Sequence, residues 1–225
     1  MEEIQNFGLN FNNFDPEDLN VDEVINCLFV IDQSGSVGRY VKEMNDALND
    51  FLHTMQKSHV SDKILISTLV FDDNIKVVNG YQPIENLSDF NVVPGGMTNL
   101  YGATYAGILN AEDYRKTLEK SGGSVKSIVF IITDGEDNCG FNPQKIKDKL
   151  DEIYSDELNA FTFTVIMFGV GNAADFNLAA KKMGIRPEMV KTVGTSGKEI
   201  KKMISFISSS ISTSANGGTV DSISF

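Results

Sequence analysis

One carboxylate and two hydroxyls are crowded into the sequence Asp-Gln-Ser-Gly-Ser at residues 32–36. An apolar run rich in β-branched residues, 25–31, precedes it and is too short for a helix, which predicts a buried parallel strand. In residues 37–55, apolar side chains recur in steps of three and four, the pattern of an amphipathic helix. The polar side chains are therefore expected on the turn between a central strand and its helix, where open α/β sheets bind ligands.

A purely structural explanation of this turn also stays open. Ser34 or Ser36 can cap the following helix by accepting hydrogen bonds from its free N–H groups, and Gly35 suits a tight turn. This stretch taken alone supports capping and ligand binding about equally.

Two distant segments carry oxygen-bearing side chains of the same kind. Residues 95–99 read Gly-Gly-Met-Thr-Asn, a glycine turn with a hydroxyl directly before a predicted helix. Residues 128–133 form a second apolar run, which Asp134 follows at once. If the two strands are parallel neighbours, Asp32 and Asp134 emerge at the same edge of the sheet.

Two carboxylates and three hydroxyls at one edge would form a site of hard oxygen donors. Soft ligands are missing from these motifs, so zinc and copper are poor candidates. Small hard cations fit this set best, with water molecules completing an octahedron around the ion. We therefore expect Mg²⁺, with Mn²⁺ or Ca²⁺ as alternatives.

The motifs Asp-x-Ser-x-Ser, Gly-Gly-x-Thr-Asn and Ile-Thr-Asp-Gly, in this order, resemble the metal-ion-dependent adhesion site (MIDAS) of a von Willebrand factor type A domain. The resemblance covers residues 24–212. It implies a Rossmann-like, doubly wound α/β fold whose six-stranded, mostly parallel sheet has the order 3-2-1-4-5-6, with strand 3 antiparallel and helices on both faces. It also implies five metal-site residues: Asp32, Ser34, Ser36, Thr98 and Asp134. Residues 206–212 are also similar to bacterial tellurite-resistance-type members of the family.

The function implied by the resemblance is metal-dependent protein binding. The five side chains would balance the charge of a divalent ion but leave its coordination shell incomplete. An Asp or Glu of a protein partner would then complete the coordination. Family members of this kind are adapters and scaffolds rather than enzymes. The similarity to tellurite-resistance proteins implies a bacterial or phage stress or defence assembly.

An enzyme is the first alternative, because two aspartates and magnesium can activate water or hold a phosphate. Against it, Arg39 is the cation nearest to the motifs, and neither His53 nor His59 has a nearby nucleophile and orienting group, as a triad requires. Gln33-Ser34 also stands where an aspartyl phosphotransferase needs a second Asp. The second alternative is a structural subunit whose metal is architectural. We predict a binding protein without catalytic residues.

Length and charge exclude several classes of function. The 225 residues suit one α/β domain. A net charge of −12 argues against a nucleic-acid surface, which needs clustered Lys and Arg, and against binding to anionic membranes. The sequence leaves the oligomeric state open.

A cytoplasmic location is expected from the N-terminus and the cysteines. The chain opens Met-Glu-Glu, without the basic and apolar regions of a secretory signal. The longest apolar stretch, near 161–170, is far shorter than the roughly 20 residues of a spanning helix. Cys27 and Cys139 lie near opposite ends of neighbouring strands, too far apart for a disulfide, which suits a reducing compartment.

The chain divides into three parts. Residues 1–23 form an N-terminal arm with nearly alternating apolar residues, residues 24–212 the domain, and residues 213–225 a flexible Ser/Gly-rich tail. Within the domain, a long connection at 79–97 is of the kind that often carries function. Asp72 and Asp73 precede it, and we interpret them as turn formers rather than metal ligands.

Overall fold

The computed structural model describes Leu9, Phe11 and residues 23–223. Its strands are β1 Glu23–Asp32, β2 Ile64–Phe71, β3 Ile75–Pro83, β4 Ser124–Thr133, β5 Phe163–Val170 and β6 Val190–Val193. Its α-helices are α1 Val41–Gln56, α2 Leu100–Lys120, α3 Gln144–Tyr154, α4 Glu157–Thr162, α5 Phe176–Met183 and α6 Gly197–Ala215. Among these residues no helix is both long and apolar enough to cross a membrane.

The six strands form one sheet in the order β3-β2-β1-β4-β5-β6. All neighbouring pairs are parallel except β2 and β3, which are antiparallel. This confirms the predicted fold, including the strand order and the antiparallel third strand. The order reverses between β1 and β4, so the carboxyl ends of these two central strands flank the switch point of the sheet.

Side chains of β1 alternate between two helical layers. Phe29 meets Phe51 of α1, with ring centroids 5.5 Å apart, and α1 packs on α6 on that face. On the other face, α2 packs against β1 and β4. There a Cβ on Gly107 would lie 3.0 Å from Val30 and 3.1 Å from Leu28, so a glycine is needed for this close approach. Both layers hold the carboxyl ends of β1 and β4 in place.

Two elements differ from what the sequence pattern predicts. The pattern indicates a short strand over 75–78, whereas β3 continues to Pro83, because Tyr81 is buried and stacks on Tyr114 at 4.1 Å. The pattern also places a strand from Phe161, where the structure has helix α4. No residue of α4 is buried, so apolar periodicity gives no signal for it.

The arm and the tail each contact the domain where they are described. The Tyr81 N–H donates to the Phe11 carbonyl (2.8 Å), and the Phe11 side chain is buried. At the other end, Val220 and Ile223 pack against the core, and the Ile223 N–H donates to the Glu188 carbonyl (3.0 Å). The rest of the predicted arm lies outside the described residues, and the flexibility of the tail stays a prediction.

These tail contacts lead to a prediction about stability. Removing residues 216–225 should lower the free energy of unfolding by about 1–2 kcal/mol, because two partly buried aliphatic side chains are lost. For a chain of this size the melting temperature would fall by about 2–8 °C. Thermal unfolding followed by circular dichroism measures this, with a truncation after Ile223 as control. An unchanged melting temperature in the longer truncation would show that these contacts contribute nothing.

Candidate metal centre

The turn after β1 carries the first three predicted site residues. Asp32 is the last residue of the strand and is only 2% exposed. Its Oδ1 accepts a hydrogen bond from the Ser34 N–H (2.7 Å), and the hydroxyls of Ser34 and Ser36 are 3.1 Å apart. These bonds fold the turn back on itself, so the carboxylate and both hydroxyls lie together.

The structure gives neither serine a capping role. A short 3-10 turn, Gly35–Arg39, separates the motif from α1, whose N-cap position is taken by Tyr40. Ser34 stands at the N-cap of the 3-10 turn, yet its side chain makes no capping hydrogen bond. The alternative explanation of the motif as a helix cap is therefore wrong.

The end of β4 supplies the second carboxylate. Asp134 directly follows this strand, is 2% exposed, and accepts a hydrogen bond from the Ser36 hydroxyl at 2.6 Å. The Thr133 hydroxyl donates to Asp32 Oδ2, also at 2.6 Å. Because Ile31 pairs with Ile132 in the parallel register, the two strand ends are level and their side chains connect directly.

Thr98 lies on the third segment and is 5% exposed. Its N–H donates to Asn138 Oδ1 (2.8 Å), and its carbonyl accepts from the Asn138 N–H (3.0 Å). A Cβ added to Gly135 would lie 3.5 Å from the Thr98 hydroxyl oxygen. The threonine is thus held against the segment that follows Asp134, whereas hydrogen bonds join the other four predicted residues directly.

The glycine turn before Thr98 is docked on the first motif. The Gly95 N–H donates to the Gln33 carbonyl (2.8 Å), and the Gly35 N–H donates to the Gly96 carbonyl (3.2 Å). Gly96 has φ +68°, and a Cβ there would meet the Asp73 carboxylate. Only glycine fits this position, which explains the second glycine of the motif.

Asp72 and Asp73 form a turn, as predicted, and they also support the site. Asp72 accepts from the Asn74 N–H (2.7 Å) through one oxygen and from the Gln33 side chain (3.0 Å) through the other. Asp73 accepts from the Met97 N–H at 3.4 Å. The two carboxylates therefore connect the β2–β3 turn to both the first motif and the Thr98 loop.

Sequence reasoning missed three further residues of this cluster: Tyr40, Thr133 and Asn138. Tyr40 is buried, and the pKa of its hydroxyl is raised by burial and by the negative charges of Asp134 and Asp32. The sequence pattern indicates only an apolar helix position for Tyr40. Of these three residues, only Thr133 could have been found from the sequence, because it lies inside the motif Ile-Thr-Asp-Gly.

The electrostatics of the cluster favour a bound cation. Burial raises the pKa of Asp32, its hydrogen bonds with Thr133 and Ser34 oppose this, and the charge of Asp134 raises it further. Asp134 Oδ2 is buried and has no hydrogen-bond partner. Among the described residues, no Lys, Arg or His forms an ion pair with either aspartate. Two buried negative charges without a counter-charge are costly, and a divalent ion would offset both.

The donor set suits a hard cation. It comprises two carboxylates and three hydroxyls, and the described part of the chain has no cluster of three or more His, Cys, Asp or Glu side chains that could form a different metal site. Oxygen ligands in this number leave room for water or for a ligand from another molecule. The assignment of the five residues as metal ligands stays a prediction.

A family model for the von Willebrand factor type A domain matches residues 26–212. A search of curated proteins gave no match. Solved structures do match, among them the pilus adhesin SpaC from Lactobacillus rhamnosus GG, with a TM-score of 0.63 and 13% identity over 87% of this chain and 31% of that one. Proximal thread matrix protein 1 from the mussel byssus has a TM-score of 0.59 and 18% identity over 85% of this chain and 48% of that one.

The type V pili tip protein Mfa5 from Porphyromonas gingivalis has a von Willebrand factor domain that matches with a TM-score of 0.55 and 11% identity, over 91% of this chain and 99% of that one. The chain spans less than half the length of the SpaC and mussel structures. At these identities the structural likeness shows the fold alone. Together with the family model, which covers most of the sequence, it establishes that the chain belongs to the von Willebrand factor type A domain family.

Proposed function

We propose that this domain holds a divalent cation, Mg²⁺ in the first place, and binds a partner protein through it. The observation that carries the proposal is the pair of buried aspartates at the switch point, one with an oxygen that lacks any partner. The residues that would hold the ion are Asp32, Ser34, Ser36, Thr98 and Asp134. When bound, the ion would supply a positive centre that accepts one more oxygen ligand.

The chain's own residues explain why a partner carboxylate fits. Asp32 and Asp134 neutralise a charge of +2, and the three hydroxyls add no charge. A partner Asp or Glu then contributes a charge-assisted contact that water lacks, which makes binding depend on one acidic residue. The Ser36 hydroxyl donates to Asp134 and the Thr133 hydroxyl donates to Asp32, so both carboxylates keep a fixed orientation.

We propose a binding role rather than an enzymatic one. The side chains that donate hydrogen bonds to the two aspartates are the Ser36 and Thr133 hydroxyls, and neither is placed as a general base next to a nucleophile. A phosphatase screen with magnesium tests the hydrolase or phosphotransferase alternative. If the metal is only architectural, its removal would unfold the domain and not merely abolish binding.

The biological setting is a further part of the proposal. Proteins of similar fold include a pilus adhesin and a pilus tip protein, which supports a role in adhesion or assembly. The similarity of residues 206–212 to tellurite-resistance-type members supports a stress or defence assembly in the cytoplasm of a bacterium or in phage infection. In either setting, the proposed role of the domain is that of an adapter that binds another protein.

A pull-down with the purified domain as bait tests the proposal. The bait is incubated with lysate in magnesium and, in parallel, in a chelator, and Asp134→Asn serves as a matched bait without the second carboxylate. We expect proteins that are captured in magnesium and absent in the other two samples. Equal capture in all three would contradict metal-bridged binding.

A further inference from the structure

Two large apolar side chains are exposed on the loop that leads to the candidate metal centre. Met97 is 53% exposed and Val93 is 61% exposed, although most apolar side chains of the described chain are buried. Both lie on the loop that leads to Thr98, and Met97 is its direct neighbour in sequence. Exposed apolar groups beside a binding centre are typical of a contact surface for another molecule.

The loop that presents these side chains is held in place. Gly95 bonds to the first motif, Met97 bonds to Asp73, and the Asn99 N–H donates to the Asp72 carbonyl at 2.8 Å. Pro94 also packs against the 3-10 turn Gly35–Arg39, since a Cβ on Gly38 would lie 3.8 Å from its ring. A surface fixed in this way can bind a partner without a large loss of conformational entropy.

The segment that follows Asp134 presents the opposite chemistry. Glu136 is exposed, and Asp137 beside it binds the N–H groups of Tyr101 and Gly140. The exposed Asp73 carboxylate on the β2–β3 turn accepts from the Met97 N–H and adds negative charge next to the loop as well. A cationic side chain of a partner would be attracted to this segment, and an acidic one would be repelled.

We infer that the partner presents its metal-binding carboxylate between an apolar side chain, which covers Met97 and Val93, and a basic side chain, which faces Glu136. This inference rests on the proposed function and specifies the partner's chemistry at the same site. The partner is therefore a protein segment with one acid flanked by an apolar residue on one side and Lys or Arg on the other. An acidic tract would be rejected, even though the ion needs a carboxylate.

Immobilised five-residue peptides test the inference. Each has Asp in the centre, or Asn as the control, and Leu, Lys, Glu or Ser at the flanking positions, and binding of the whole chain is measured in magnesium and in chelator. We expect peptides with Leu on one side and Lys on the other to bind at least about tenfold better than peptides flanked by Glu, because an apolar contact and a charge pair are both gained.

Variants separate the two contacts. The double variant Val93→Ser with Met97→Ser should lose the preference for Leu, and Glu136→Gln should weaken the preference for Lys, while magnesium affinity stays unchanged in both. Leu178→Ser, at an exposed apolar residue on α5, is the matched control and should change neither preference.

The outcomes distinguish this inference from the proposed function. If peptides bind only with magnesium and only with the central Asp, but show no preference for Leu or Lys, the inference is wrong and the metal-bridged function stands. The inference is also wrong, and the metal-bridged function still stands, if the double variant keeps the preference for Leu and Glu136→Gln keeps the preference for Lys. If no peptide binds in a magnesium-dependent manner, the proposed function fails, and the inference with it.

Discussion

Asp134→Asn should abolish tight magnesium binding and at the same time stabilise the metal-free domain. The asparagine keeps an oxygen that accepts from Ser36, so the local hydrogen bond is preserved while the charge is lost. Losing one charge next to a divalent ion costs several kcal/mol even at an effective dielectric constant of about 20, so magnesium affinity should fall at least about 100-fold.

The stabilisation follows from the same burial. In the metal-free domain, Asp134 is a buried charge with an unpartnered oxygen close to Asp32. Removing that charge should raise the free energy of unfolding by about 1–2 kcal/mol. The melting temperature in chelator would then rise by about 2–8 °C.

Calorimetric titration with magnesium and thermal unfolding in chelator measure the two effects. Asp113→Asn, on the exposed side of α2, removes the same charge far from the site and should change neither. In the unchanged chain, magnesium at about 100 times its Kd should add about 2.7 kcal/mol of stability, and at the same concentration this gain should fall to about 0.4 kcal/mol or less in Asp134→Asn. Unchanged magnesium affinity in this variant would remove Asp134 from the metal site.

Thr98→Ala should separate metal binding from partner binding. Thr98 is the one predicted ligand on the loop before α2, and its backbone N–H and carbonyl are bonded to Asn138 rather than to the turn after β1. The serines sit on the turn beside a central strand and should hold the ion without it. We expect magnesium affinity to fall about tenfold, a loss of about 1.4 kcal/mol for one neutral oxygen ligand, and partner affinity to fall about 100-fold.

Thr98→Ser keeps the hydroxyl oxygen and should leave the affinities for magnesium and for the partner nearly unchanged. Thr117→Ala removes the same atoms from an exposed position of α2, where the hydroxyl donates to the Asp113 carbonyl, and serves as the control. Equal losses of metal and partner affinity in Thr98→Ala would make Thr98 an ordinary ligand. Full partner binding in this variant would show that the loop does not face the partner.

The fold and the convergence of the site could be predicted because they depend on local patterns. Buried strands are continuous apolar runs, and each motif stands at the end of such a run or directly before a helix. Parallel order then brings Asp32 and Asp134 to one edge. The five motif residues are few, close to glycines, and of a type that suits one class of cation, which is why the sequence predicts them as ligands.

The supporting contacts could not be predicted, because they join segments that are distant in sequence. Asn138 contacts Thr98 and Asp72 contacts Gln33 only after the sheet has formed. Tyr40 has the apolar spacing of a core helix residue, and nothing in that spacing shows that its hydroxyl faces Asp134. Helix α4 was missed for a different reason, since Leu158 and Phe161 are exposed and leave no buried face.

The contact between Phe11 and Tyr81 has a consequence for solubility. β3 pairs only with β2 among the strands of the described sheet, so its other side offers unpaired N–H and C=O groups. Such an edge can pair with another copy and start aggregation. The Phe11 carbonyl accepts a hydrogen bond from the Tyr81 N–H, and the centroids of the Phe11 and Tyr81 rings are 6.4 Å apart. Cleavage of the chain before residue 23 would uncover this strand and turn it into a surface for self-association, which light scattering at rising protein concentration would measure.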